Sequence, residues 1–432
     1  MRQDLRCNIP AILFQQKVTL KNSKMNLKST IHKKLSNWVY LLYHRAFLPY
    51  VVWRKRRKEK IRILYVLQYL AEWKTEALYL EMKKHPRIEP LLGITPCLEL
   101  PGEENNVMKY CREKGYDFII LDPEKTLVNQ VHPDFIIHQK PYYSLIHKKH
   151  RVINNIGVPC LMLPYSIHTT IAPFGINSNM SYVSWRHFYE NQSTVDAHKE
   201  KHRLKGINSV VTGLPFMDML TLPPSHFPNP WPDKKGMKRI IYAPHHSIPQ
   251  SFTKDINFST FMENCEFMQE MRDRFRDKVY FVFKPHPLLY KKLVVIWGKE
   301  RADLYYDSWR NAPNSHIEEG QYIGLFKHSD AMIHDCGAFC VEYLFTGNPV
   351  MYLINKERKD DNLTPYMRKA FRLHYMGWCH TDIEQFIQNV IDGVDVRKEE
   401  RAHFYREELL PPHGKTACEN IINAILGEED YS

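Results

Sequence analysis

The sequence predicts an α/β protein with two parallel-sheet domains that face each other across a cleft, preceded by a basic N-terminal arm. Apolar runs of strand length alternate with segments of helical periodicity, which is typical of parallel sheets covered by helices. At 432 residues the chain is long enough for two cores. Five prolines between Pro223 and Pro232 divide the alternation into two series and indicate an interdomain linker.

The first series predicts an N-terminal domain over residues 61–220. Its strands are continuous apolar runs, as expected for strands that are buried on both faces. The predicted strands are Ile61–Gln68, Leu91–Ile94, Phe118–Leu121, Phe135–His138, Val158–Leu163 and a short run at Val210–Val211. The predicted helices are Ala71–Lys84, Asn106–Lys114 and Leu145–Ile153.

The second series follows the linker at 221–237 and predicts a C-terminal domain over residues 238–432 that ends in a helix. Its predicted strands are Arg239–Tyr242, Val279–Phe283, Ala331–His334 and Val350–Leu353. Its predicted helices are Phe258–Phe275, Tyr322–Lys327, Phe339–Phe345 and Asp382–Ile391. Because the carboxyl ends of parallel strands share one edge of a sheet, the loops after these strands are the expected ligand-binding loops.

Charge is concentrated in the first 60 residues. This arm holds fifteen Lys and Arg against Asp4 and Glu59, whereas the whole chain carries a formal charge of +12, so the remaining residues are near neutral. A nucleic-acid enzyme would more often spread basic charge over its folded surface, so we expect no nucleic-acid partner. The nine cysteines are odd in number and scattered, which favours a reduced, cytoplasmic compartment.

The arm combines aromatic residues with cations. The run between Trp38 and Trp53 is too short to span a membrane, and a basic cluster from Arg54 to Lys60 follows it. This pattern predicts that residues 31–60 lie on an anionic membrane surface, with rings at the headgroups and cations against lipid phosphate. The alternative is a first helix that packs on the N-terminal domain or docks on a partner. The physiological start is either Met1 or Met25.

One candidate phosphate site follows the strand at Ala331–His334. Asp335 ends the strand, and Gly337 and Ala338 allow a ligand to approach the backbone where a helix begins. Free N–H groups and the helix dipole at such a turn favour a phosphate. Glu342, further along that helix, is a candidate for binding ribose hydroxyls. Tight turns of this kind occur in every parallel-sheet protein, so the motif alone is weak.

Two further loops carry cations and imidazoles. Lys284 and His286 follow the strand at Val279–Phe283, where they are candidates to neutralise a diphosphate and to donate a hydrogen bond to a leaving phosphate oxygen. His245, His246 and Ser247 follow the strand at Arg239–Tyr242 and are expected to wall the same pocket. Adjacent histidines also suit a metal, but spacing supplies no third ligand, so we expect no metal site.

The N-terminal domain offers one candidate base. His168 follows the strand at Val158–Leu163 and is expected to face the cleft, where an imidazole would accept the proton of an acceptor hydroxyl. A loop histidine is more often simply solvated. Gly213, at the end of the domain, is either part of the phosphate site or a plain hinge.

In this order the motifs resemble the CDP-glycerol glycerophosphotransferases, which build teichoic-acid and capsular polymers of the cell envelope. The resemblance covers roughly residues 150–355. The motifs that carry it are Thr212-Gly213-Leu214-Pro215, Tyr242-Ala243-Pro244, Lys284-Pro285-His286-Pro287 and the segment from Ser329-Asp330 to Asp335. Two features depart from the family: Cys336-Gly337-Ala338 stands where paired serines are usual, and a tryptophan-histidine-glycine base motif is absent.

The resemblance implies the GT-B architecture of two Rossmann-like domains, metal-independent catalysis without a bound cofactor, and a position on the inner face of the cell membrane. It implies transfer of glycerol phosphate, or a related polyol phosphate, from a CDP-activated donor to a hydroxyl of a surface polymer or a lipid-linked precursor. The donor would lie in the C-terminal domain and the acceptor in the N-terminal one. The alternatives are a GT-B glycosyltransferase using a CMP- or UDP-sugar, a nucleotide-sugar epimerase, and a non-catalytic membrane scaffold.

Overall fold

The computed structural model describes residues 35–171, 176–248, 258–320, 322–357 and 362–428. The start at Met25 and residues 31–34 of the arm lie outside the described residues. Two parallel sheets carry the fold, as the sequence predicts.

The first sheet has seven parallel strands in the order β3-β2-β1-β4-β5-β6-β7. From β1 the strand order proceeds in one direction through β2 and β3, and from β4 it proceeds in the other. A crevice is therefore expected at the carboxyl ends of β1 and β4, where the order changes direction. The strands are β1 (Ile61–Leu67), β2 (Ile88–Ile94), β3 (Phe118–Ile120), β4 (Phe135–His138), β5 (Cys160–Met162), β6 (Arg186–Tyr189) and β7 (Ser209–Val211).

The second sheet has six parallel strands in the order β10-β9-β8-β11-β12-β13, and its strand order changes direction between β8 and β11. The register pairs Ala331 with Ile240 and His334 with Ala243, so β8 and β11 end side by side. The strands are β8 (Lys238–Ala243), β9 (Val279–Phe283), β10 (Ser315–Ile317), β11 (Ala331–His334), β12 (Val350–Leu353) and β13 (Tyr375–Gly377).

Helices cover both sheets. In the N-terminal half they are 35–42, continuing as a π-helical turn at Tyr43–Phe47 and an α-helix at Leu48–Arg56, then Glu76–Lys84, Glu104–Lys114, Leu127–Val131, Asn179–Val183, Gln192–Lys201 and Pro215–Thr221. In the C-terminal half they are Phe261–Arg274, Leu289–Trp297, Lys299–Asn311, Ile323–Lys327, Phe339–Glu342, Pro365–Arg372, His380–Asp392, Lys398–Phe404 with a π-helical turn at Tyr405–Leu409, and Ala417–Leu426.

Some elements differ from the sequence prediction. The predicted helix at Leu145–Ile153 is instead a series of short 3-10 turns. The strands β6, β10 and β13 were not predicted, because each is only three or four residues long and carries polar or small residues that break the apolar run. The helix expected at Phe339–Phe345 is α-helical only to Glu342 and continues as a 3-10 turn.

The two halves are joined by packing as well as by the linker. The terminal helix Ala417–Leu426, although it ends the C-terminal series, lies against the helices Glu76–Lys84 and Pro215–Thr221 of the first half. Thr170 of the first half forms an isolated antiparallel β-bridge with Leu363 of the second half. The largest hydrophobic core accordingly contains residues from both sheets.

The arm helix has two faces. Leu48, Val51 and Val52 are buried against the first domain, and both Lys55 and Lys58 form ion pairs with the buried Asp134. Thus the helix packs on the N-terminal domain, while an opposite aromatic face is exposed. Within the described residues, no helix has the length and apolar character needed to cross a membrane.

Candidate functional site

The site lies at the carboxyl ends of β8 and β11, where the strand order of the second sheet changes direction. In open α/β sheets ligands bind at such a switch point. The neighbouring strand β9 ends at the same edge and delivers the third loop. The structure therefore brings the predicted loops after Ala243, Phe283 and His334 together.

Asp335 fixes the geometry of this edge. Its buried carboxylate accepts hydrogen bonds from the His245 N–H at 2.5 Å and from the Thr260 N–H at 2.6 Å. Burial raises the pKa of Asp335 to about 7, and these hydrogen bonds oppose that rise. Since its oxygens are engaged by the protein, Asp335 ties the β8 loop to the next helix and positions the site.

Three imidazole rings, those of His245, His246 and His286, lie together in the loops at this edge. The ring centroids of His246 and His286 are 3.9 Å apart, and those of His245 and His246 are 4.3 Å apart. One ring nitrogen from each of the three histidines lies within 4.8 Å of one ring nitrogen from each of the other two. The sequence predicted that these loops share one pocket, but spacing gave the His245–His246 pair no third ring, because His286 joins the pair from a different strand.

The hydrogen bonds of the cluster fix where its protons lie. The Nδ1 atoms of His245, His246 and His286 each accept from a group that only donates: the Ser247 N–H at 3.2 Å, the Lys292 ammonium at 2.8 Å and the Leu288 N–H at 3.1 Å. A neutral imidazole whose Nδ1 accepts carries its proton on Nε2. Burial lowers the pKa of His246 to about 4 and that of His286 to about 3, so both rings are neutral near pH 7.

This arrangement suits an anion better than a metal. Three nitrogens at this spacing are numerous enough for a metal ion, but a metal needs the lone pair of each ligand nitrogen. Here each Nδ1 lone pair is already used and each Nε2 carries a proton. The ammonium of Lys292 beside His246 would also repel a cation. Imidazole N–H donors next to lysines are instead ready to bind a phosphate group.

Lys284 supplies a buried cation at the same edge. Its side chain is almost fully buried, and Nζ donates to the Gly320 carbonyl at 3.2 Å. Burial lowers the pKa of Lys284 to about 8; the charges of Glu318 and Glu319 oppose this shift, and the charge of Lys74 from the N-terminal domain adds to it. Lys284 therefore carries a charge near pH 7 that an anion would stabilise.

Ser247 has a supporting role in the site. Its Oγ lies 2.9 Å from His245 Nδ1 and accepts hydrogen bonds from the N–H groups of Phe258 and Ser259. The hydroxyl thus holds the segment after β8 against the start of the next helix. Nothing in these contacts requires Ser247 to contact a ligand directly.

Glu342 has a partner that the sequence did not reveal. It is fully buried, and its Oε1 accepts from the Lys74 ammonium at 2.9 Å, which forms an ion pair across the two domains. Its Oε2 has no hydrogen-bond partner within the described residues. A buried carboxylate oxygen in that state is suited to accept a ligand hydroxyl.

The two small residues before Glu342 leave room at the turn. A Cβ added to Gly337 would meet only ordinary contacts, at 3.7 Å from the Phe258 ring, so the packing does not demand a glycine there. Ala338 precedes a helix of only four residues. Gly213 is different: it has a φ of +76°, and an added Cβ would lie 3.0 Å from Ala417 and Pro411, so the fold itself requires glycine.

His168 lies at the junction of the domains. Its Nδ1 is 2.8 Å from the buried Glu190 carboxylate, and its Nε2 is 3.2 Å from Nε2 of His187. Its ring stacks on Tyr189 with centroids 4.4 Å apart. Its carbonyl accepts from the Thr364 hydroxyl of the C-terminal half. Both nitrogens thus have protein neighbours, and an acceptor hydroxyl would have to replace His187 to reach Nε2.

Glu190 was not identified from the sequence, although it directly follows β6. Burial alone would raise the pKa of Glu190, but the adjacent His168 charge and hydrogen bonds lower it overall. A carboxylate that orients an imidazole through Nδ1 is the arrangement of a general base and its orienting residue. The sequence feature that could have identified Glu190 is its place directly after a strand. That feature was not visible because β6 was not predicted.

Comparisons with known proteins identify the fold. The sequence matches no family profile and no curated protein. Among solved structures, the wall teichoic acid polymerase TagF, in a structure with CDPG, superposes with a TM-score of 0.58 at 12% identity, covering 95% of this chain and 97% of that chain. MnaA of S. aureus with UDP gives 0.57 at 15% identity, covering 84% of this chain and 96% of MnaA.

The UDP-GlcNAc 2-epimerase of Neisseria meningitidis, bound to UDP-GlcNAc, gives a TM-score of 0.54 at 15% identity, covering 85% of this chain and all of the epimerase. A polymerase and epimerases thus share this architecture. At such low identities the likeness shows the fold alone. The chain therefore has the GT-B fold that the sequence predicted.

Proposed function

We propose that the protein transfers glycerol phosphate, or a related polyol phosphate, from a CDP-activated donor to a hydroxyl of a cell-surface polymer or a lipid-linked precursor. The observation that carries the proposal is the cluster of three imidazoles with Nε2 protons beside Lys284. This cluster can hold a diphosphate without a metal, and its loops carry the motifs that resemble the glycerophosphotransferases. The structure of TagF with CDPG supports a donor of this kind on this fold.

The proposed reaction exchanges one phosphate ester for another. The acceptor oxygen forms a bond to the glycerol-bearing phosphorus of the donor, and the bond from that phosphorus to the bridging oxygen breaks. CMP leaves with the bonding electron pair, and the acceptor proton passes to a base. Charge that develops on the bridging and terminal oxygens is met by the Nε2–H groups of His246 and His286 and by Lys284, which are already oriented.

His168 is the proposed base, oriented by Glu190. In this role the acceptor hydroxyl replaces His187 as the hydrogen-bond partner of His168 Nε2. The variants His168→Gln and Glu190→Gln are then expected to lower kcat strongly while leaving the affinity for the donor unchanged. Loss of stability with unchanged kcat in the folded fraction would instead assign the pair to bracing the domain junction.

A sugar transferase using a CMP- or UDP-sugar is the second candidate. The observation that favours it is the small-residue turn at Gly337 and Ala338 followed by Glu342, in place of paired serines. An epimerase would convert UDP-GlcNAc with no acceptor present, so product analysis of an acceptor-free incubation separates epimerisation from transfer.

A thermal-shift panel of CMP, CDP, CDP-glycerol, CMP-sialic acid, UDP and GDP tests the donor assignment. We expect stabilisation by cytidine nucleotides that is lost in His286→Ala and kept in His380→Ala, a control histidine that stacks on Phe267 and does not belong to the imidazole cluster. Stabilisation by UDP instead would favour the sugar transferase. No response to any nucleotide would contradict the proposal.

We also propose that the arm helix holds the enzyme on an anionic membrane surface, in the cytoplasm. The large apolar side chains exposed on its outer face are Leu35, Trp38, Val39, Leu42, Phe47, Tyr50 and Trp53. Arg54, Arg57 and Lys60 are exposed at its end, whereas Lys55 and Lys58 are paired with Asp134. Apolar rings beside cations suit the interface of an anionic bilayer.

Vesicle flotation tests the arm. The protein is expected to float with vesicles containing phosphatidylglycerol and to float far less with phosphatidylcholine alone. The variant Trp38→Ser/Trp53→Ser should lose binding, whereas Trp378→Ser, which changes an equally exposed tryptophan of the other domain, should keep it. Equal flotation of both variants would contradict the proposal.

A further inference from the structure

A group of buried histidines lies behind the proposed base and has no role in the mechanism given above. His187 belongs to β6, and His198 and His202 lie in and directly after the helix Gln192–Lys201; all three are buried. The ring centroids of His187 and His198 each lie 5.2 Å from that of His168. Histidine is only intermediate in its tendency to be buried, so this grouping needs a physical explanation.

Burial keeps these three rings uncharged. It lowers the pKa of His187 well below its ordinary value, that of His198 to about 3 and that of His202 to about 4. Each ring therefore carries a single proton near pH 7, and each has one nitrogen that donates and one that accepts. The hydrogen-bond partners then decide which nitrogen holds the proton.

The hydrogen bonds of His168 fix the direction of its contact with His187. Glu190 is ionised, because its pKa is lowered overall, so its carboxylate only accepts, and the proton of a neutral His168 lies on Nδ1, 2.8 Å away. Nε2 of a neutral His168 is then a lone pair, which is the state that a general base requires. His187 Nε2 lies 3.2 Å from that lone pair, so His187 donates and its single proton lies on Nε2.

The far end of the network agrees with this placement. His198 Nε2 lies 3.3 Å from the Thr170 carbonyl, which only accepts, so the lone pair of His198 is on Nδ1. The Tyr189 hydroxyl, whose pKa burial raises, has one proton and lies 3.2 Å from that lone pair and 3.4 Å from Nδ1 of His187. The shorter contact takes the proton. The longer contact exceeds the usual hydrogen-bond distance of about 2.9 Å and is left without one.

A second proton on His168 would change this pattern. With protons on both nitrogens, His168 would donate to His187, whose own proton would then lie on Nδ1 and donate to the Tyr189 oxygen. Such a donor contact is expected near the usual hydrogen-bond distance. The separation of 3.4 Å instead matches the pattern in which His168 is neutral.

Glu190 and His187 therefore act on His168 in opposite directions. An ionised carboxylate at Nδ1 favours a second proton on the ring, and the resulting imidazolium has no lone pair for the acceptor proton. An N–H group that donates to Nε2 favours the neutral ring, because protonation would break this hydrogen bond and set two N–H groups against each other.

Burial also keeps the other titratable groups around this pair neutral. They are Tyr189 of β6, His198 and His202, and Tyr366 of the C-terminal half, which faces Glu190. Beyond them, His44 and Arg203 face His202. At His168 itself the opposing partners are thus Glu190 on one ring nitrogen and His187 on the other.

We propose that His187 is a positioning residue that keeps His168 unprotonated and therefore able to act as the base. It donates its Nε2 proton to the His168 lone pair until the acceptor hydroxyl takes its place. In the step that follows, the acceptor O–H bond breaks, an N–H bond forms at His168 Nε2, and the electron pair stays on the acceptor oxygen that bonds to phosphorus. The role of His168 as a base rests on the proposed function, whereas the direction of the hydrogen bond does not.

The pH dependence of kcat tests this role. CMP release from CDP-glycerol is measured at saturating donor, with a synthetic glycerol phosphate trimer as acceptor. His187→Leu removes the donating group, so between pH 8 and pH 6 its kcat should fall about tenfold more than that of the wild type. His187→Gln, whose amide nitrogen donates from nearly the same position, should keep the wild-type profile. A purely structural role would lower kcat by the same factor at both pH values.

His202→Leu is the matched control, because it also removes a buried neutral ring from this group. Nδ1 of His202 accepts from the Gly206 N–H at 3.1 Å and has no contact with the base. This variant is expected to lose stability and to keep the wild-type dependence on pH. An equal acid-side loss in His187→Leu and His202→Leu, or no such loss in either, would overturn the inference.

Nitrogen NMR on the wild-type chain tests the same hydrogen bond without turnover and without His187→Leu having to fold. With nitrogen-15 histidine, protonated and unprotonated ring nitrogens give separate signals, and the signals lost in His168→Gln and His187→Gln assign the two rings. Near pH 7 we expect an unprotonated Nε2 on His168 and a protonated Nε2 on His187. Protons on both nitrogens of His168, with that of His187 on Nδ1, would overturn the inference.

The two proposals fail in distinguishable ways. Absence of CMP release at any pH, with the expected NMR pattern, would contradict the transferase function and retain the hydrogen bond. Transfer by a protein whose His168 carries protons on both nitrogens would retain the function and overturn the role of His187.

Discussion

The two sheets place opposite electrostatics at equivalent edges. At the β1/β4 edge Lys140 lies between Glu72 and Glu99; burial alone would lower its pKa, but these carboxylates raise it. At the β8/β11 edge Lys284 donates to a carbonyl, and burial lowers its pKa to about 8. At the first edge the attraction of the carboxylates outweighs the burial of the cation, whereas at the second edge burial outweighs the attraction of Glu318 and Glu319.

This difference indicates which edge is built for an anion. A buried cation paired with carboxylates is already compensated and gains little from a phosphate. A buried cation whose desolvation outweighs the attraction of nearby carboxylates lowers the stability of the free protein, and such destabilised groups are typical of binding sites. The comparison therefore favours the second sheet as the place for the charged part of the proposed donor.

The largest expected effect is on the stability of the first edge. Lys140→Met leaves Glu72 buried without its partner and should reduce the free energy of unfolding by about 3–5 kcal/mol. Lys125→Met removes an exposed pair with Asp122 and should cost about 1 kcal/mol or less. Urea unfolding of both variants provides the comparison, and equal losses would show that the Lys140 cluster is not a compensated buried site.

The second edge should respond in the opposite way. Lys284→Met is expected to leave stability unchanged or higher, and to weaken CDP-glycerol binding by roughly 10–100-fold, the equivalent of one charge-assisted hydrogen bond. Lys327→Met is the matched control, because burial also lowers the pKa of Lys327 to about 8 but this lysine lies outside the imidazole cluster. Calorimetry should show unchanged affinity in that control; a similar loss in both variants would contradict the assignment.

A smaller effect is expected from pH. Lys284 is charged below its pKa of about 8 and neutral above it, whereas His246 and His286, with pKa values of about 4 and 3, stay neutral from pH 6 upward. Both phosphates of CDP-glycerol are esterified and keep a constant charge over this range. Affinity should therefore fall roughly tenfold by pH 9, because Lys284 and Lys292, both with pKa values of about 8, lose their charge. Ionisation of Asp335, whose pKa is about 7, lowers the affinity in the same direction between pH 6 and 8. Affinity that rises with pH would exclude a titrating lysine.

Much of the β8/β11 edge could be predicted from the sequence because its residues follow apolar strands. Tyr242-Ala243, Phe283 and His334 end uninterrupted buried runs, and parallel pairing brings the next residues of each run to one edge. The partners of these residues could not be predicted. Lys74 meets Glu342 across 268 residues, and this contact depends on how the two domains pack.

The same limit applies to the imidazoles and to the base. The proton positions depend on Lys292 and the Leu288 N–H, which belong to a turn and helix that the sequence pattern did not single out. Glu190 follows β6, a strand whose Arg-His-Phe-Tyr sequence has no continuous apolar run to reveal it. Local pattern thus located the site, and tertiary packing decided its chemistry.

The most direct test of the account is a calorimetric titration of the EDTA-treated protein with CDP-glycerol, repeated with added Zn²⁺. If Nε2 protons and Lys284 hold the diphosphate, the nucleotide should bind the metal-free protein, and Zn²⁺ should not strengthen binding. Binding that appears only with a divalent metal would show that the three histidines are ligands with free lone pairs, and would contradict the account.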